Sequence, residues 1–227
     1  MSIVTVLPPR PPAAVRSGLR QRLMAWALAW GGDRMHQALG PHKQRLLGPL
    51  EGDVLEVGPG VGANFRYYRP SVRWTGVEPN RFSHGPLLRE AARYGIAAQV
   101  AFGVAEALPQ ADGTMDAVVS TLVLCSVAHP AKVLAEAQRV LRPGGRFVFI
   151  EHVAAPAGTP LRRLQDALAP AWRLLADGCH PNRETGAMLQ QAGFRELDIV
   201  SFDAAFPLVR PHIAGSGRKP VQERAAC

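Results

Sequence analysis

The stretch Asp53-Val-Leu-Glu-Val-Gly-Pro-Gly-Val-Gly62 joins a short apolar strand to a turn with glycine at every second position, Gly58, Gly60 and Gly62. Glycine reaches positive φ at little cost and lets a bulky ligand approach the backbone. The spacing predicts a helix over about 62–68, its free N–H groups and positive dipole end turned toward that ligand. Twenty residues beyond Gly58, a second apolar run, Trp74-Thr-Gly-Val77, ends at Glu78. A carboxylate there can accept hydrogen bonds from ribose hydroxyls. Strand, turn and acid together describe a nucleoside-cofactor site in an open parallel sheet.

Which nucleoside is a question of charge. Gly58, Gly60 and Ala63 also satisfy the G-x-G-x-x-G/A dinucleotide fingerprint, so nicotinamide and flavin enter the comparison. Glu56, two residues before the first glycine, would repel a pyrophosphate but suits an ammonium group. S-adenosylmethionine carries an ammonium and a ribose and has no phosphate. Further along stand Glu78-Pro-Asn80, Ala105-Glu-Ala-Leu-Pro109, Asp112-Gly-Thr-Met-Asp-Ala-Val-Val119 and Arg139-Val-Leu-Arg-Pro-Gly-Gly145. With the glycine turn, and in this order, they resemble the class I S-adenosylmethionine-dependent methyltransferases over roughly residues 40–220.

That resemblance implies an α/β, Rossmann-like fold: a mostly parallel seven-stranded sheet with a terminal antiparallel hairpin and N-terminal helices. It also implies S-adenosyl-L-methionine as cofactor. Glu56 and the Gly58, Gly60 and Gly62 backbone would face the methionine end, and Glu78 the ribose. Pro79 would flank the adenine, Ala105 and Glu106 would present groups to its edge, and Thr121 would join the cofactor-binding set. Many relatives carry an acid before that alanine; here the position is Val104.

A closer resemblance lies in Thr121-Leu-Val-Leu-Cys-Ser-Val127, Glu151-His-Val153, Asp177-Gly-Cys179, Arg183-Glu-Thr185 and Pro211-His-Ile213. These look like the small alkyl-thiol S-methyltransferases of animals, without their long apolar N-terminal anchor, so a shared membrane location is not implied. A thiol acceptor fits the chemistry, since a free thiol ionises near pH 8.5 and a modest shift makes the nucleophile. His152 or His180 would then serve as base, with Asp177 orienting either. The plainer roles are a loop hydrogen bond for His152, a capped turn for Asp177 and a small buried apolar residue in Cys125. Cys179, His180 and His152 lack a recognised ligand spacing, so no metal is expected.

The balance of 26 basic against 18 acidic residues gives a net charge of +8. Arginine spread along the whole chain, with no aromatic-studded basic strip, argues against a nucleic-acid surface. The signature Asn-Pro-Pro-aromatic for exocyclic amines is likewise missing after the fourth strand. Three widely spaced cysteines make no disulfide framework, so a reducing, cytoplasmic setting is expected. No signal peptide is legible. Arg16, Arg20 and Arg22 precede the apolar stretch Leu23–Trp30, which is too short to span a bilayer. That pattern suits either a lid over the active site or peripheral membrane contact.

Residues 1–48 read as a tail with cap helices, and 49–227 as the methyltransferase domain. Helices are expected near 15–30, 34–47, 82–94, 131–141 and 183–192. Strands are expected near 53–57, 73–77, 98–103, 115–120, 145–151, 194–202 and 208–217. Arg142–Gly145 reads as a turn and 152–181 as a loop-rich insert. The reading is methyl transfer to a small, fairly apolar acceptor, a thiol first. C- or O-methylation of a quinone- or lipid-like ring is the alternative.

Overall fold

In the computed structural model, the residues described are Gly18, Arg22 and 32–221. The side chains of 32–37 are excepted. The expected helix over 15–30, with its lid or membrane role, lies outside them apart from those two positions.

Five short apolar runs form the parallel part of the sheet: β1 (Asp53–Val57), β2 (Arg73–Val77), β3 (Ala98–Ala101), β4 (Met115–Thr121) and β5 (Leu141–His152). In β1, β4 and β5 the central members are apolar at consecutive positions because both faces are covered. Alternation therefore decides which side a residue serves. Val54, Val119, Val148 and Ile150 pack on one face with Trp74 and Leu87, while Leu55, Val118, Phe147 and Phe149 pack on the other with Val133 and Leu134. Phe147 stacks on Phe194 at 5.1 Å between ring centroids.

The strand order is β3-β2-β1-β4-β5-β7-β6, with β6 (Arg195–Asp203) and β7 (Pro211–Arg218) antiparallel to each other and β7 antiparallel to β5. The expected terminal hairpin is present, and its second strand is inserted between β5 and β6. That insertion sets His152 of β5 directly opposite His212 of β7.

Helices cover both faces. In α1 (Gly32–Leu47), Leu39, Leu46 and Leu47 are buried in the same cluster as Val54 and Trp74. In α2 (Arg81–Arg93), the Asn80 side chain caps the first turn by accepting from the Phe82 N–H. In α3 (Pro130–Val140), Val133, Leu134, Ala137 and Val140 form one buried stripe. The last helix, α5, spans Thr185–Gln191.

Three expectations need correction. The segment 152–181 is not mainly loop: Pro160–Leu175 forms a 16-residue helix, α4, begun by Thr159 as cap and Pro160 in its first turn. No full helix follows the glycine turn, only a 3₁₀ turn at Phe65–Tyr67 closed by the bonds Tyr67 N to Asn64 O and Tyr68 N to Phe65 O. A three-residue turn carries almost none of the dipole expected there. Arg142–Gly145 is an irregular stretch inside β5. Pairing to β4 jumps from Met115–Leu141 to Ala117–Arg146, leaving those residues bulged.

Candidate active site

The carboxyl ends of β1, β2, β4 and β5 meet at one rim, where open parallel sheets bind ligands. On the β1 side the glycine turn takes the left-handed region at Gly58 and Gly60 (φ 57° and 58°), while Gly62 is at 93°. A β-carbon on Gly58 would lie 2.7 Å from Val123 Cγ2, so the turn and the loop after β4 touch. Glu78 clamps the turn from β2, accepting the Gly60 N–H at 2.9 Å and the Asn80 N–H at 2.8 Å. Burial raises its pKa against those two bonds.

Glu56 is 3 % exposed, and its two oxygens take three donors: Asn64 Nδ2 at 2.7 Å, Tyr68 Oη at 2.7 Å and Trp74 Nε1 at 3.1 Å. Burial pushes its pKa up, and the three hydrogen bonds oppose that. Lys43, from α1, is buried nearby, and burial lowers its pKa to about 8 although Glu56 pulls the other way. Asn64 Nδ2 also donates to Thr121 Oγ1 at 3.1 Å, joining β1, the turn and β4. The other Asn64 atom, Oδ1, is buried without a hydrogen-bond partner. An unpaired buried acceptor costs roughly 1–3 kcal/mol, so an ammonium donor is what this corner lacks. S-adenosylmethionine brings that donor, and the β-carbon-free turn beside it gives its chain room. Sequence reasoning passed over Asn64; its signal was a lone amide two residues beyond the glycine turn.

The remaining expected cofactor residues are more scattered. Pro79 is exposed beyond β2, and Ala105 is buried between β3 and β4. Glu106 accepts the Ala128 and His129 N–H groups at 3.2 and 3.3 Å, capping the start of α3.

Across the rim, Glu151 is wholly buried and organises the loop after β4. It accepts from Ser120 Oγ at 2.8 Å and from the N–H groups of Val123, Leu124 and Cys125 at 3.0, 3.1 and 3.4 Å. Within that loop Leu122 is held at φ 57°, which costs a non-glycine residue about 1–3 kcal/mol. Beyond Glu151, His152 Nε2 lies 2.9 Å from Cys179 Sγ, and Trp172 Nε1 donates to the same sulfur at 3.2 Å. Cys125 Sγ lies within 4.8 Å of Cys179 Sγ, and the neighbouring Cys125, with His152 and Trp172, holds the Cys179 thiol down to about 4 while Cys125 is pushed up. His152 is therefore committed to a sulfur. His180 donates its backbone N–H to Cys125 O at 2.8 Å, and burial, its largest influence, lowers its imidazole pKa. Asp177 is exposed on the turn after α4, at φ 53°, two residues before Cys179.

Fold and rim together define a cofactor-dependent group-transfer enzyme. The methyltransferase-domain family matches residues 55–149. The chain is 46 % identical over 167 residues to human thiol S-methyltransferase TMT1A, spanning 71 % of this chain and 68 % of that one. It is 34 % identical over 118 residues to the ubiquinone/menaquinone biosynthesis C-methyltransferase UbiE of Klebsiella pneumoniae, covering 44 % and 47 % of the two chains. Among solved structures, the YcgJ protein of Bacillus subtilis superposes with a TM-score of 0.64 at 18 % identity, over 82 % of this chain and 99 % of that one. The chain belongs to the class I S-adenosylmethionine-dependent methyltransferases, in the branch that contains the thiol S-methyltransferases.

The cofactor supplies a sulfonium-bound methyl group whose departure leaves a neutral thioether. The protein therefore has little developing charge to stabilise and must position and shield instead. Asn64, braced by Glu56 and Thr121, would take the ammonium end. Glu78, braced by two N–H groups, would offer its remaining lone pairs to the ribose. The Glu151-held loop forms the opposite wall.

Proposed function

We propose that this enzyme methylates small, fairly apolar thiols, giving methyl sulfides and S-adenosylhomocysteine. The observation that carries the reading is the 46 % identity over 167 residues to a thiol S-methyltransferase, 71 % of this chain. The UbiE likeness covers only 44 % of the chain, so ring C- or O-methylation has less behind it. A half-buried imidazole kept neutral at physiological pH suits His180 to take the acceptor proton, with Asp177 on the same turn to orient it. Among the described residues no helix is long and apolar enough to cross a membrane.

The test is incubation with methyl-labelled cofactor and a panel of alkyl thiols, aryl thiols and hydrosulfide, beside a hydroquinone. Labelled methyl sulfide from at least one thiol is expected. Label in the quinol alone, or in none, overturns the thiol assignment.

A further inference from the structure

Cys125 Sγ, His152 Nε2 and Cys179 Sγ come from three separate elements: the loop after β4, the end of β5 and the turn after α4. All three ligand atoms lie within 4.8 Å of one another, and all three residues are buried. Both cysteines are free thiols. A tetrahedral zinc site with bonds of about 2.3 Å to sulfur and 2.0 Å to nitrogen spaces its ligand atoms about 3.5–3.8 Å apart. The 2.9 Å separation of His152 and Cys179 would open by about 0.6 Å to reach that spacing. The surroundings suit a soft cation. Trp172 donates a hydrogen bond to the Cys179 sulfur, the kind of outer contact that orients a thiolate ligand. Arg183 donates to Leu124 O and to Val127 O (2.7 Å), pinning the Cys125 loop from outside the cluster. The Glu151 carboxylate, by contrast, is engaged by the β4 loop. Among the described residues no fourth His, Cys, Asp or Glu completes the group.

We infer that Cys125, His152 and Cys179 form a zinc site with one open position, and that this position receives the sulfur of the acceptor thiol. Two thiolates, one imidazole and a vacant place are the donor set of a catalytic zinc rather than a closed structural one. The site borders the cofactor pocket, since the same loop that carries Cys125 presses Val123 against Gly58. The substrate half of the inference rests on the thiol reading above; the metal half does not. A thiol entering the open position loses its proton, which His180 takes. Its sulfur lone pair then forms the new S–CH3 bond. The methyl–sulfonium bond breaks, its electron pair stays on the cofactor sulfur, and methyl sulfide and S-adenosylhomocysteine leave.

The experiment is metal stoichiometry on the full chain, stripped with chelator, incubated with zinc and freed of excess by gel filtration. One zinc per chain is expected. Cys125→Ser, Cys179→Ser and His152→Ala should each bind at least about 100-fold more weakly, since losing even an outer partner costs 10–100-fold. His180→Ala should keep its zinc. Circular dichroism separates lost metal from lost fold, and cobalt substitution of the native chain reads thiolate-to-metal bands without any variant. Stoichiometry well below one, or cobalt bands lacking thiolate character, overturns the site whatever the activity. A cobalt spectrum unmoved by a thiol that the enzyme methylates overturns the substrate role. Zinc bound at one per chain with no thiol methylated refutes the thiol reading and leaves the metal site standing.

Discussion

Asn64 and Glu56 are joined by a 2.7 Å hydrogen bond that uses the amide nitrogen and leaves the amide oxygen buried and unpaired. The carboxylate fixes the amide and leaves its oxygen as the unmet acceptor of this corner. Asn64→Leu should therefore weaken S-adenosylhomocysteine about 10–100-fold by calorimetry, the worth of one hydrogen bond to a charged group. Tyr68 and Trp74 still hold Glu56 in that variant, so a cooperative thermal transition is retained. An unchanged affinity would place the ammonium elsewhere.

Gly58→Ala combines two penalties, a positive φ and a 2.7 Å approach to Val123. A loss of about 2–4 kcal/mol in urea denaturation is expected. Adding Val123→Ala should recover the steric part and leave about 1 kcal/mol of backbone strain. Full recovery in the double variant would mean the φ carries no cost.

Glu151→Gln replaces an acceptor oxygen by a donor facing Ser120 and the loop N–H groups. Stability should fall by about 2–4 kcal/mol, and turnover should fall with it because the loop holding Leu122 at positive φ relaxes. Stability and turnover both at the wild-type level would remove Glu151 from the loop's support.

Lys43 gives a pH test. Its amine is buried and its folded pKa is about 8 against 10.5 for the free side chain. Below about pH 8 both folded and unfolded chains hold the proton, and the fold bears the whole cost of the buried charge. Between about 8 and 10.5 the folded chain releases it first, so this group's contribution to stability rises with pH. Lys43→Met should be more stable than the parent at pH 7 by roughly 1–3 kcal/mol, the gap narrowing by pH 10 in urea titrations. A gap that widens with pH would contradict this.

The strands were the legible part of the sequence. Val54-Leu55 and Val118-Val119 are unbroken apolar pairs because each strand is covered on both faces, and nothing local competes with that signal. The helix Pro160–Leu175 was hidden by two prolines, Pro160 and Pro170, and by four leucines that stay exposed (Leu164, Leu168, Leu174 and Leu175). Glu56 and Glu78 were legible as acids at strand ends. Their commitments were not, since Trp74 and Tyr68 reach Glu56 only once β1 and β2 are side by side. The same holds for Cys125 and Cys179, fifty-four residues apart in sequence and brought together by the crossover of α4.

One consequence of the strand order concerns synthesis. Because β7 lies between β5 and β6, β6 leaves the ribosome before β7, its neighbour among the described residues, exists. Until residues 211–218 emerge, the β5 edge bearing His152 is bare, and a nascent chain halted there would present an unpaired ladder to any passing strand. Methyl-transfer competence thus arrives late and all at once, and a chain cut short before Pro211 is a substrate for chaperones rather than a slower enzyme.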